Sequence, residues 1–315
     1  MKHPLLLLLT FYTLATCAQK TEKYYDFEWK ETDVGHARFY STGELTDSGW
    51  HRQDLFINGF KLQMDGVYED STCKTQNGKF TFAYPNKIVE STGRYLHGKK
   101  QGLWLDFHPN GMMADSVVYE AGNPIGIKRG WYPNGYPSDS AIYNVDGSGI
   151  EVGWFDNGNV SFAGVLSAGF KKHGKWQFFH KNGHISAIEI YVHGQLKEKQ
   201  YYDEQGQAIA DTTSRDRKVA FRGGSKDWLK YLNGHLYWPP DYKITNTDAV
   251  AVVISMTVDE DGKVVDAYVS TPFYPPFENI ALNVIRRSPA WTPAIEHNRR
   301  VRSQLRQPVI FSQPE

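Results

Sequence analysis

Cysteine is nearly absent from this 315-residue chain, which has Cys17 and Cys73 and no others. If an N-terminal leader is removed, only Cys73 remains, and one cysteine makes neither an internal disulfide nor a cysteine-based zinc site. Net charge is missing too: 35 Lys and Arg balance 35 Asp and Glu. No overall field draws the molecule to nucleic acid or an anionic membrane, so only a local patch could do so. Long apolar runs are lacking: the stretch from Leu5 to Leu14 is well short of the about 20 residues a spanning helix needs. Helical periodicity is scarce before residue 225. Local catalytic signatures are absent as well, with no Gly-x-Ser-x-Gly and no His-Glu-x-x-His. FRGGSK (221–226) lacks the spacing of a phosphate loop, and DEDG (259–262) lacks the alternating ligands and distal Glu of a calcium loop. The reading is of a protein that is not an enzyme, with no cofactor and no metal.

What is abundant is aromatic residues and glycine: 9 Trp, 19 Tyr, 17 Phe and 28 Gly. Aromatics favour strands and glycine favours positive φ, so the composition points to a mainly β chain of short strands and tight turns. Length suggests two domains.

Residues 1–18 have the shape of a signal peptide: Lys2 and His3, an apolar core, then Ala15, Thr16, Cys17 and Ala18. Cleavage after Ala18 would leave Gln19 first. The alternatives are lipidation of Cys17, because Leu-Ala-Thr-Cys resembles a lipobox with Thr16 fitting poorly, and a retained anchor. Export places the protein in the periplasm or at the outer membrane of a Gram-negative bacterium. It contacts a membrane only if Cys17 is lipidated or the N-terminus is kept.

Residues 19–210 read as a β-hairpin repeat array, clearest over 84–206. Turn positions recur at Lys87, Gly111, Gly135, Gly158, Gly183 and Gly206, spaced 24, 24, 23, 25 and 23. Asn110, Asn134, Asn157 and Asn182 precede four of these glycines, and aromatics lie three to five residues upstream. Asn-Gly after an aromatic strand predicts a type I′ hairpin turn, giving Gly111, Gly135, Gly158 and Gly183 structural roles. A second landmark, Gly102, Gly126, Gly149 and Gly174, runs in phase with the first. Each unit is therefore two strands and two turns, and stacking of units builds an elongated array with a continuous core. Ligand-count requirements and their different repeat phases make His97, His108, His173, His180, His184 and His193 polar turn and strand residues rather than a metal site.

The strings HGKKQGLWLDFHPNG (97–111) and AGFKKHGKWQFFHKNG (168–183) resemble bacterial MORN-like repeats, a family some of whose members carry an antitoxin label. That family has Gly-Lys-x-x-Gly-x-Trp, then aromatics, then Asn-Gly.

Residues 211–220 read as a polar linker, and a different pattern fills 221–315. Trp228, Leu229, Leu232 and Leu236 predict a helix over 225–236 with Ser225 as N-cap. Val250 to Val258 alternate as a strand, DEDG turns, and 264–270 returns. Phe277, Ile280, Ala281, Val284 and Ile285 mark an amphipathic helix with Pro276 in its first turn. A last strand runs from about Val301 to Phe311. This is a small α+β domain, one sheet with helices on one face.

FRGGSKDWLKYL (221–232), VISMTVDEDGKVVDAYV (253–269), NIALNVIRRSPAWTPA (279–294) and QPVIF (307–311) together resemble the TonB C-terminal domain. The resemblance implies a protein-binding module that takes a TonB-box-like peptide of an outer-membrane transporter, or another envelope protein, along its last strand. Arg302, Gln304, Arg306 and Val309 are the edge-strand candidates, and Trp291 plugs the core. The implied function is an adaptor. The alternatives are a TonB-type energy transducer for transport across the outer membrane, for which no inner-membrane helix or Pro-rich spacer is visible, and a structural envelope protein.

Overall fold

The computed structural model describes residues 20–245 and 247–314. The signal-peptide reading, with Cys17 and Gln19, lies outside these. Sixteen strands, from β1 (Lys20–Tyr25) to β16 (Ala208–Ile209), form one antiparallel sheet in chain order. At about 4.8 Å per strand the sheet extends about 70 Å along its stacking direction.

The Asn-Gly turns differ from the sequence expectation. Gly111, Gly135, Gly158 and Gly183 have φ of 85°, 83°, 86° and 91°, whereas none of the preceding asparagines has positive φ. Gly111 N–H donates to His108 O at 2.8 Å, and His108 N–H donates to Met112 O at 2.8 Å. This is a three-residue turn in which a type I bend ends in one left-handed residue, not the two-residue type I′ turn. The asparagines serve by their side chains. Asn110 Oδ1 accepts from Met112 N–H at 3.1 Å, and Asn110 Nδ2 donates to Pro133 O in the next repeat at 2.8 Å. Asn86, Asn157 and Asn182 make the equivalent bridges to Pro109, Lys181 and Glu204. A ladder of amides thus ties consecutive turns.

Type I′ turns lie at the opposite end of three of the hairpins, at His97–Gly98, Ala121–Gly122 and His193–Gly194, where both residues have positive φ. The second glycine landmark marks no turn. Gly102, Gly126 and Gly174 lie inside strands at φ 69°, 67° and 62°, where the register shifts in a bulge. Gly149 begins its strand without positive φ. Each Trp-bearing bulge faces a glycine on the neighbouring strand. A Cβ on Gly93 would come 2.2 Å from the Trp104 ring, and one on Gly164 would come 2.1 Å from Trp176. The rings lie on bare backbone, 1% exposed, and each is capped by a lysine: Lys100 Nζ is 4.1 Å from the Trp104 centroid and Lys172 Nζ 4.8 Å from that of Trp176. The glycine spacing therefore has a local cause. One glycine permits the tight turn, the next permits the bulge, and the bulge turns the indole onto its neighbour.

Beyond the array come α1 (Gly224–His235), β17 (Ala249–Val258), β18 (Val264–Thr271), α2 (Pro275–Arg286), β19 (Ala294–Glu296), β20 (Arg299–Val301) and β21 (Ser303–Ser312). The three-stranded sheet has order β18–β17–β21, and β19 pairs with β20 as a separate hairpin. Val250, Val252, Ile254, Met256 and Val258 share a core with Trp228, Leu232, Phe277, Ile280, Ala281, Val284 and Ile285, so both helices cover one sheet face. Two helix details differ from expectation. Gly223, at φ 86°, precedes α1 with no side-chain cap, and Ser225 falls inside the first turn. Leu229 points outward at 58% exposure, because Trp228 and Leu232, four apart, define the buried stripe. Trp291 is 8% exposed, packs on Phe221 and Trp228, and donates from its backbone N–H to Gly262 O at 2.7 Å.

Candidate functional site

The two halves are not separated by a free spacer. Arg217 and Ala220, in the segment expected to be a linker, pair with Ile295 and Thr292, and the other face of the C-terminal sheet meets the repeat array. The β19–β20 hairpin is the main plug. Its turn residues, His297 and Asn298, have φ of 52° and 58°. The His297 ring stacks on Phe178 at 3.7 Å and bonds Glu189 at 3.0 Å, while Asn298 Nδ2 donates to Tyr202 O at 2.8 Å. Glu189 is 2% exposed. Burial opposes its charge, but hydrogen bonds with His297 and Tyr191 more than offset this and hold the carboxyl below its ordinary range. Arg299, also buried, lies over Phe155 and Phe178, and desolvation pushes it down to about 10.

Next to the plug is a four-member ion cluster. Arg302 Nη2 reaches Asp156 at 2.5 Å, Lys181 Nζ lies 2.8 Å from Asp156 and 2.9 Å from Glu260, and Arg302 Nε is 3.6 Å from Glu260. Burial would raise the Asp156 carboxyl, but the bond from Lys181 and the field of Arg302 outweigh it and hold it below normal.

The four expected partner residues differ in what they touch. Arg302 is neutralised within the molecule. Arg306 donates to Phe27 O at 3.3 Å and Thr271 Oγ1 at 3.1 Å. Val309 is fully buried, because its cross-strand partner Val252 faces the helices and cross-strand partners share a face. Gln304 alone of the four combines an exposed side chain with none of these contacts.

The backbone of β21 is the more informative feature. Its ladder to β17 is continuous from Ser303 to Ser312, and Gln313 N–H continues toward Asp248 O at 2.8 Å. Odd-numbered amides therefore point at β17, and even-numbered ones point away. Pro308, which has no N–H, falls on the outward side, where a central ladder is not broken. Gln304 and Arg306 then present backbone N–H and C=O groups on an edge that no strand occupies among the described residues. Beside residues 302–306 the two halves stand apart around a cleft of about 720 Å³, with Tyr84, His108, Trp131 and Tyr132 on the array side and Ser255, Thr257 and Tyr268 opposite.

Four of the six array histidines share repeat phases in pairs, contrary to expectation, whereas His173 and His184 occupy phases of their own. His108 and His180 precede equivalent turns and bond the carbonyls of Trp131 and Tyr202 in the next repeat, at 2.7 and 3.0 Å. Tyr84 and Tyr132 do the same through their hydroxyls to Phe107 and Trp154. His97 and His193 share the tight-turn phase. Among the described residues, no three His, Cys, Asp or Glu side chains are grouped for a metal, and no helix is long and apolar enough to cross a membrane.

No protein-family model matches the chain, and the search of curated proteins returns no match.

Proposed function

We propose that the chain is a non-enzymatic binding or adaptor protein of the Gram-negative cell envelope, periplasmic or outer-membrane-associated, which receives an extended segment of a partner protein on the outer edge of β21. The observation that carries this reading is the row of outward backbone groups at Gln304 and Arg306. An edge of this kind gains affinity from main-chain hydrogen bonds, with few side-chain demands. Pro308 blocks a donor farther along and so restricts pairing to the 302–306 end. The helix, strand, strand, helix, strand order, with its resemblance to the TonB C-terminal domain, supports the same reading, and a TonB-box-like peptide is the type of segment it suggests. The repeat array serves as the platform that fixes this edge in place.

The test is photo-crosslinking in cells from a benzophenone side chain at position 304, with Leu229 as an exposed control site. A discrete adduct from position 304, mapping to one extended segment of an envelope protein, is expected. Identical adduct patterns from both positions would refute the reading.

A further inference from the structure

We propose that the cleft between the halves is a composite peptide site, in which the repeat array reads the side chains of a strand added to β21 and selects a large apolar residue two positions from an acidic one. The proposal rests on the edge reading above and adds to it a recognition role for the repeats.

β21 runs across the repeats rather than along their strands. Arg302, immediately before it, meets Asp156, whereas its Arg306, four residues on, reaches Phe27. A strand paired to its edge would cross successive turn rungs, of which Tyr84, His108 and Tyr132 are three in a row. The halves touch at the outer two. Tyr84 meets Tyr268 edge-on at 5.4 Å, and the Arg302 guanidinium is 4.9 Å from the Tyr132 centroid. At the middle rung, His108, the walls stand apart around the cleft. The usable stretch of the edge, 302–306, lines this same cleft.

Side-chain alternation supplies the specificity. An added strand has one set of side chains on the face that carries Gln304 and Arg306, spaced two residues apart. Trp131, Pro109 and Ala114 line the array side of the cleft that Gln304 borders, which suits a large apolar side chain. Arg306 is bonded to a carbonyl and a hydroxyl, while Arg302 already has Asp156 and Glu260. An incoming carboxylate therefore has Arg306 as its partner. Glu90 lines the same wall, and its burial pushes its carboxyl upward, with Asp106 adding to the effect.

The experiment is selection of a random octapeptide display library on the intact chain, with affinities of selected synthetic peptides then measured by fluorescence anisotropy. Wild type should enrich an apolar residue two positions from Asp or Glu. Arg306→Glu should exchange the acidic preference for Lys or Arg. Trp131→Ala should erase the apolar preference, and Ala114→Trp, which fills the bay while keeping Trp131, should weaken selected peptides at least tenfold. If Trp131→Ala and Ala114→Trp leave selection unchanged while Gln304→Pro abolishes binding, the array does not read the peptide, and only the composite site falls. If Gln304→Pro binds like wild type, or nothing is selected, the edge reading falls with it.

Discussion

Replacing Gly93 with alanine tests the physical basis of the repeat. The added Cβ would sit 2.2 Å from the Trp104 ring, which is 1% exposed and donates from Nε1 to Arg94 O at 3.1 Å. Neither partner can yield cheaply, because the ring lies against backbone under Lys100. Overpacking of this kind costs about 1–3 kcal/mol, and expulsion of the indole approaches the about 3–5 kcal/mol of a Trp→Ala truncation. Alanine regains about 0.5–1 kcal/mol over glycine in a strand. The expected net loss is about 2–3 kcal/mol, read as a lower urea midpoint in equilibrium unfolding followed by circular dichroism. Introducing Gly93→Ala into a Trp104→Ala background removes the clash, so there it should be neutral or stabilising by up to about 1 kcal/mol. An equal cost in both backgrounds would refute the glycine–indole explanation of the motif.

Three further outcomes are expected. Ala121 occupies the left-handed region at φ 49° in a type I′ turn, so Ala121→Asn should raise stability by about 1 kcal/mol in the same unfolding assay. His297→Ala should cost about 2–4 kcal/mol, because Glu189 at 2% exposure loses a partner and Phe178 loses its stacked ring; the change in thermal midpoint measures it. Asp156 and Glu189 are both held below the ordinary carboxylate range, so their contribution to docking is complete above about pH 5 and is lost as pH falls through their folded values. Small-angle scattering should show the molecule expanding below about pH 4 while far-ultraviolet circular dichroism persists, and Asp156→Asn should reduce the pH dependence.

The sequence made some of this legible and hid the rest for physical reasons. The 24-residue period appears because each unit repeats the same glycine requirement, and α2 is legible because Phe277, Ile280, Ala281, Val284 and Ile285 all face one core. The sequence points to a type I′ turn at the wrong end of the hairpin. Asn-Gly suits a type I′ turn, but here Asn110 uses its amide to bridge repeats, while His97–Gly98 and Ala121–Gly122 form the type I′ turns without the expected residues. The histidine phases emerge only once register is fixed by bulges. Docking of the halves was hidden because it joins residues more than a hundred positions apart, such as Glu189 with His297 and Asp156 with Arg302. The balanced net charge concealed complementary pairs, and the polar segment before Phe221 gave no sign that Arg217 and Ala220 pair with Ile295 and Thr292.

Residue-resolved amide hydrogen exchange along β21 tests the central claim most directly. Free outward donors should make Gln304 and Arg306 exchange at least tenfold faster than Leu305, Gln307 and Val309, whose amides face β17. Equal, strong protection of both sets would show that the edge is already paired and would contradict the assignment of β21 as the binding strand.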